Sequence, residues 1–259
     1  MPIDIKLIHV SKDIPEEFVN LVLGTLATAL DRIKDEDGHY IELYIYSDEY
    51  EYIRISGLEH PNIYFVMHEA YLGWPRIHII YSLCRAIEHE VLEAGLIHEA
   101  IHAAIHGSPK YYIMTPPEAF KDSCLSKHDH VTCSSIFNLL ASGVKDYEVS
   151  RAAIKYGLET RVKPLIYKYL MEAYRDVVDE DNLSSEPIKL CNVIKQFLAA
   201  YPLATDEYIG EMIRKLMDAL KERYAINLNE IIYMVEGFGD DTYKNISSVL
   251  EWFTDRFLI

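Results

Sequence analysis

The segment 95–107 constrains the fold most, because it is apolar nearly throughout yet carries three histidines and a glutamate. It reads GLIHEAIHAAIHG, and its alanines, leucine and isoleucines favour a helix. Gly107 and Pro109 follow the last histidine, as is usual just beyond a helix C-terminus. A helix that is apolar on nearly every side must be buried. We therefore expect a core helix ending near His106, whose polar side chains need partners.

The first two histidines of this segment have the spacing of metal ligands. His98 and His102 are four residues apart, so a helix places both on one face. Glu99 lies about 100° further round, where its carboxylate can reach a water held by a metal ion. The pattern H-E-x-x-H is typical of zinc hydrolases, in which the glutamate is the general base. The alternative is that the three histidines bond to backbone carbonyls in the core and that Glu99 pairs with a distant Arg or Lys.

A third ligand is needed, because catalytic zinc takes three protein ligands and a water. Two acids of one predicted helix are candidates, Asp146 and Glu148. Asp146 falls on the apolar face, where a carboxylate is costly unless it is paired or binds a cation. Glu148 lies about 200° away from it, at a spacing from Arg151 that suits a surface ion pair. We expect Asp146 as the ligand and keep Glu148 as the alternative; both acids could also be solvated.

Two further residues are candidates for contacts to the substrate or the transition state. On a straight helix His106 is about 12 Å from His98, too far for the three histidines to share one metal. We expect His106 to hydrogen-bond the substrate or a group behind the ligands, or to complement the helix C-terminus. The Tyr147 hydroxyl could donate a hydrogen bond to an oxyanion. Other possible donors are Tyr111, Tyr112, His128 and His130.

Composition limits the partners and the compartment. A net charge of −16 disfavours nucleic acid and anionic membranes, because their phosphates repel the chain. Because residues 1–4 are not followed by the pattern of a signal peptide and no apolar run has membrane-spanning length, we expect neither a signal peptide nor a membrane span. We expect a cytoplasmic protein whose partner is a peptide or protein substrate, and the sequence does not indicate its oligomeric state. A single glutamine, Gln196, and many Tyr, Ile and Glu hint at a thermophilic source.

The cysteines form no C-x-x-C pair; they are Cys84, Cys124, Cys133 and Cys191. Buried thiols are the default in a cytosolic chain, although a Cys124–Cys133 disulfide becomes possible in a hyperthermophile. Cys124 and Cys133 could instead form a second zinc site with His128 and His130. The spacing of these four residues matches no standard zinc finger.

Hydrophobic periodicity predicts strands in the first part of the chain and helices in the rest. The predicted strands are 3–10, 41–46, 63–67 and 77–81, with a helix from Pro15 after the first and the motif helix, from Cys84 or Ile87, after the last. Beyond a long loop at 108–132, which could cover a cleft, the predicted helices are 133–156, 159–179, 185–200, 205–224, 228–237 and 241–258. This order predicts an α+β fold. Residues 1–107 would form a small mixed sheet with helices, and 108–259 a mostly helical part.

These features resemble the zincin metallopeptidases. The likeness lies in the helix His98–His102, the strands before it and a later helix with an acidic ligand. The run 145–149, KDYEV, is similar to the third-ligand helix of the integral-membrane zincins that process CAAX proteins, with Asp146 in the ligand position. The chain departs from those proteins in having no membrane spans and Ser150 in place of their second acid. It also lacks the glycine turn and third histidine of metzincins. A soluble peptidase of gluzincin or aspzincin type is implied.

The resemblance implies a zinc ion held by His98, His102 and Asp146, with Glu99 taking a proton from a zinc-activated water. A peptide substrate would lie extended along the strand 77–81, expected at the sheet edge. Two alternatives stay open: a helical binding or regulatory protein with a metal-bearing or degenerate zincin core, and a purely structural metal site. Glu99 favours the hydrolase, because a structural site needs no base beside it.

Overall fold

Four strands near the start of the chain form one mixed sheet. They are β1 (Asp4–Val10), β2 (Tyr40–Tyr46), β3 (Val66–Glu69) and β4 (Arg76–Ile80). Their order is β1-β2-β4-β3, with β1, β2 and β4 parallel and β3 antiparallel to β4. The structure is a computed structural model, and it describes residues 3–33, 40–57, 63–179, 183 and 186–258.

The strand β4 has neighbours on both sides, so the expectation that 77–81 is the sheet edge was wrong. Ile77 is paired with Leu43 of β2 on one side and with His68 of β3 on the other. Ile77 and His78 point to opposite faces of the sheet and are 0% and 2% exposed, as a strand covered on both faces requires. The strand at the edge beside β4 is β3, which begins at Val66 and not at 63 as predicted. A short apolar run does not encode which strand pairs with it, because pairing depends on distant parts of the chain.

Four helices accompany the sheet: α1 (Glu16–Leu30), α2 (Glu49–Ser56), α3 (Tyr81–Cys84) and α4 (His89–Ile105). The helix α4 packs against α1, β3 and β4. It is the predicted motif helix, but it begins later than predicted, at His89. Cys84 belongs to a separate short helix, α3. The helix α2 was not among the predicted elements, although its boundaries carry the usual signals. Asp48 accepts a hydrogen bond from the N–H of Glu51 at 2.8 Å, and Gly57 ends the helix with a φ of 68°.

The rest of the chain is helical, and with the small sheet this confirms the predicted α+β fold. The helices are α5 (Glu118–Leu125), α6 (His130–Lys155), α7 (Glu159–Asp179), α8 (Pro187–Ala200), α9 (Glu207–Tyr224), α10 (Asn229–Glu236) and α11 (Thr242–Phe253). The predicted loop 108–132 was wrong in part, because it contains α5 and a 3₁₀ turn at Pro109–Tyr111. Two turns of helix are too short to show a clear period. Within the described parts of the chain, no helix is long and apolar enough to cross a membrane.

The chain divides into two compact units. One contains residues 1–113 and 152–165, and the other contains 114–151 and 166–259. The first unit holds the sheet with α1 to α4. The second holds α5, α8 to α11 and the greater part of α6 and α7. The domain boundary expected after residue 107 stays a prediction.

The four cysteines serve two structural roles. Cys124 and Cys133 form a disulfide that joins α5 to the first turn of α6. The second zinc site, with His128 and His130, was therefore wrong, because disulfide sulfurs are not thiolate ligands. Cys84 and Cys191 are buried free thiols, as expected for this chain. Burial raises the pKa of the Cys84 thiol to about 12.

A mostly buried carboxylate joins the ends of β1 and β2 to α2. Glu51 Oε2 accepts hydrogen bonds from the Ser11 hydroxyl and from the Ser47 N–H, the latter at 2.8 Å. Glu51 Oε1 lies 3.3 Å from His9 Nε2. Burial acts to raise the pKa of Glu51, but the hydrogen bonds from Ser11 and Ser47 outweigh it and lower the pKa to about 2.

We expect Glu51→Gln to remove part of the acid sensitivity of the fold. The folded pKa lies below the unfolded value of 4.5, so the ionised carboxylate stabilises the fold above pH 4.5 and loses that effect as the pH falls towards 2. Urea unfolding at pH 7, 5, 4 and 3 should show a wild-type advantage that shrinks with the pH. Glu222→Gln, at an exposed position, is the control. Parallel loss of stability in wild type and Glu51→Gln would contradict the role of Glu51.

Candidate metal centre

Two buried histidines of α4 lie side by side. His98 is 5% exposed and His102 is 7% exposed. Their ring centroids are 4.8 Å apart, with the rings inclined at 73°. Ala94 and Ile101 beside them have no exposed surface. The spacing of four residues thus places both imidazoles on one face of a buried helix, as the sequence predicted.

A close contact holds α4 against the segment that precedes β3. A Cβ atom built on Gly95 would lie 2.6 Å from the ring of Phe65, a separation that side chains do not tolerate. The helix α4 runs through Gly95 without a break. Glycine here allows the helix to approach Phe65 closely, and the next turn of the helix carries His98.

His106 lies behind His102 in the same unit. The Nδ1 atoms of the two rings are 3.1 Å apart, and His106 is 2% exposed. One nitrogen must donate and the other accept. If His102 donates from Nδ1, its Nε2 lone pair is left for a metal ion, which is the usual way that a second residue orients a histidine ligand. His106 therefore contacts a candidate ligand directly, and its expected hydrogen bond to the substrate stays a prediction.

A fourth histidine, which was not among the predicted site residues, lies beside this group. His68 of β3 stacks on His102, with ring centroids 6.1 Å apart and planes 15° from parallel. The Tyr112 hydroxyl is 2.6 Å from His68 Nδ1, so one of the suggested donors does lie in this cluster. The predicted third strand ended at Met67, one residue before His68. A strand extended by that residue would have included His68 in the sheet.

Asp146 is a buried residue of α6. It is 6% exposed, and Val149 and Ala153 on the same helix face are fully buried. Lys195 of α8 places its Nζ 3.6 Å from Asp146 Oδ2. The sequence predicted that Asp146 would be buried and would need a partner. Lys195 is one partner, and the sequence alone did not identify it.

The alternative ligand, Glu148, lies on a different side of α6. Its Oε2 accepts a hydrogen bond from the Thr242 hydroxyl at 2.8 Å, and its Oε1 accepts one from the Asn245 amide at 2.9 Å. These contacts attach α6 to α11. The Tyr147 hydroxyl donates to the Val235 carbonyl at 3.0 Å, and burial raises the pKa of Tyr147. Both side chains are thus bound into the packing of the second unit.

Three of the described side chains form a group that could hold a metal ion. His98, His102 and Asp146 each offer one ligand atom, and these atoms lie within 4.8 Å of one another. All three residues are buried. Two imidazole nitrogens and one carboxylate oxygen are a donor set that suits zinc, and catalytic zinc usually takes three protein ligands with a water as the fourth. The residues present therefore fit the ion that the sequence suggested.

Glu99 completes the motif on α4. It follows His98 directly and is half-buried, whereas both its helix neighbours are buried. Its carboxylate leaves the helix about 100° from the His98 side chain. A partly exposed acid beside two buried histidines is suited to exchanging protons with a molecule that enters from solvent.

Comparison with known protein families, curated proteins and solved structures found no relative of this chain. No protein-family model matches the chain, and no curated protein and no solved structure is similar to it. The likeness to zincins therefore depends on the motif residues His98, Glu99 and His102 and on Asp146.

We expect Asp146→Asn to weaken zinc binding by at least about tenfold, because the amide oxygen is a neutral and poorer ligand. Glu148→Gln should leave zinc affinity unchanged and lower the stability of the fold by about 1 kcal/mol, since it weakens two hydrogen bonds to α11. Competition titration with a chromophoric chelator and urea unfolding measure the two effects. A loss of zinc in Glu148→Gln, with normal binding by Asp146→Asn, would transfer the ligand role to Glu148.

Proposed function

We propose that this chain is a zinc-dependent metallopeptidase. The observation that carries the proposal is the group His98, His102 and Asp146, which unites three ligand atoms within 4.8 Å in a buried place. Glu99 beside His98 supports hydrolysis over a purely structural metal, because a structural site has no need of an adjacent acid.

When bound, zinc would supply Lewis acidity, which lowers the pKa of a ligated water and polarises a carbonyl group. His98, His102 and Asp146 would hold the ion, and His106 would fix the orientation of the His102 ring through the 3.1 Å contact between their Nδ1 atoms. Glu99 would accept a proton from the water and later pass it to the leaving amine. The hydrogen-bonded pair of Tyr112 and His68 offers polar groups close to His102.

The substrate in this proposal is a peptide or protein. Among the described strands β3 is the sheet edge beside β4, and an extended peptide would add to the sheet along it. His68 on this strand stacks on His102, so a peptide paired with β3 would pass close to the candidate ligands. The net charge of −16 favours substrates with basic residues. Cytoplasmic location remains part of the proposal.

A second candidate function is a helical binding protein whose zincin-like core no longer carries a metal. One observation favours it: the Lys195 ammonium already balances the buried carboxylate of Asp146 at 3.6 Å. In that case the histidines would serve only as hydrogen-bonded core residues.

We expect Glu99→Gln to retain zinc and to lose peptide hydrolysis by at least about a hundredfold, because the amide cannot accept the proton. Zinc content by elemental analysis and cleavage of a mixed peptide library, followed by mass spectrometry, provide the two readouts. Glu90→Gln, at an exposed position in the first turn of α4, is the matched control and should keep both properties. Normal turnover by Glu99→Gln would disprove the assignment of Glu99 as the base. Wild type that takes up no zinc and cleaves no peptide would favour the binding protein, whereas zinc-loaded wild type that cleaves no peptide would favour a purely structural metal.

A further inference from the structure

The contact between α6 and α8 is close and extends over successive turns of α6. A Cβ on Gly143 would lie 2.9 Å from the Lys195 Cα, so only glycine allows the two backbones this approach. The Ser150 hydroxyl donates to the Ala199 carbonyl at 2.6 Å. Gly143, Asp146 and Ser150 are three and four residues apart and share one face of α6. The contact at Gly143 therefore fixes the α8 backbone at the residue that pairs with Asp146.

The ion pair on this face is shielded from solvent. The side chain of Lys195 is 14% exposed and that of Asp146 is 9% exposed. Removal of a cation that balances a buried carboxylate strongly destabilises a fold. A carboxylate has two oxygens, so Asp146 can accept from an ammonium and also ligate a metal ion. In that state the ammonium and the metal ion are both positive and repel each other at short range.

We propose that Lys195 shares Asp146 with the zinc ion and thereby weakens the affinity of the centre for zinc. In the metal-free protein Lys195 balances the Asp146 charge and keeps the fold stable. The free energy of zinc binding is then less favourable, because the carboxylate is already paired and a second cation lies nearby. This inference rests on the proposed zinc centre, and it assigns Lys195 the role of setting the occupancy of that centre at a given zinc concentration.

The test compares zinc affinity and metal-free stability in Lys195→Met and in Lys195→Arg. Lys195→Met removes the charge and keeps an unbranched stem, whereas Lys195→Arg keeps the charge. Lys215→Met is the matched control, because Lys215 pairs with Glu211 on an exposed surface. The readouts are the zinc Kd from competition with a chromophoric chelator and the melting temperature with and without zinc. A double variant, Lys195→Met with Asp146→Asn, reports whether the loss of metal-free stability comes from the unbalanced carboxylate.

We expect Lys195→Met to bind zinc about tenfold or more tightly than wild type, because the metal then supplies the positive charge that the buried carboxylate has lost. Its metal-free melting temperature should fall by several degrees and recover when zinc is added or when Asp146 is also replaced. Lys195→Arg and Lys215→Met should behave as wild type does. If wild type takes up little zinc and Lys195→Met binds it more tightly, that result would also support the proposal.

Weaker zinc binding by Lys195→Met than by wild type would overturn this proposal and leave the zinc centre intact. Loss of a group that orients a ligand weakens metal binding roughly 10- to 100-fold. Unchanged affinity would also overturn it. Absence of zinc binding in both wild type and Lys195→Met would overturn the zinc centre and, with it, the role of Lys195. If Lys195→Met does not fold without metal, its refolding is compared with and without zinc. Refolding only with zinc supports the proposal, and failure to refold under both conditions counts against it.

Discussion

The burial of ionisable side chains on apolar helices is the constraint on which the rest of the structure depends. The helix α4 is apolar on nearly every side, and its two candidate ligands are at most 7% exposed. Asp146 on α6 is equally buried. A buried polar group left without a partner costs about 1–3 kcal/mol of stability, and more when the group is charged. Each of these side chains therefore requires a specific partner, and the neighbouring elements are arranged to provide them.

The partners include both cations and neutral donors. Asp146 has the Lys195 ammonium, His102 has His106, and His68 stacks on His102 while it bonds to Tyr112. Groups of this kind around metal ligands orient the rings and set the affinity for the ion. The close approach at Gly143 and the one at Gly95 serve the same end, because each lets a neighbouring residue reach the helix that carries a ligand. The packing of these helices and the chemistry of the proposed metal centre are thus coupled.

The sequence predicted the parts of the site that depend on one helix. The spacing of His98 and His102 implied a shared face, and the helical phase distinguished Asp146 from Glu148 through the cost of burying a carboxylate. Both inferences need only the period of an α-helix. The ends of α7 were predicted at the residues where they lie, 159 and 179.

The parts that could not be predicted depend on contacts between distant residues. The interior position of β4 follows from its pairing with β3, and His68 reaches His102 only through that pairing. Lys195 is 49 residues beyond Asp146, and nothing in the local pattern of α8 marks it as the partner. The helix α2 is a different case, because Asp48 and Gly57 carried the signals for its ends. Its run EYEYIRIS alternates apolar and polar residues for part of its length, which conceals the helical period.

The central claim is that His98, His102 and Asp146 form a zinc site. The most direct test is to dialyse wild type and His98→Ala against zinc, remove the free ion and determine the metal content per chain by elemental analysis. We predict one zinc per chain in wild type and none in folded His98→Ala, with circular dichroism to establish that the variant is folded. Wild type without zinc, or His98→Ala with a full equivalent of it, would contradict the claim.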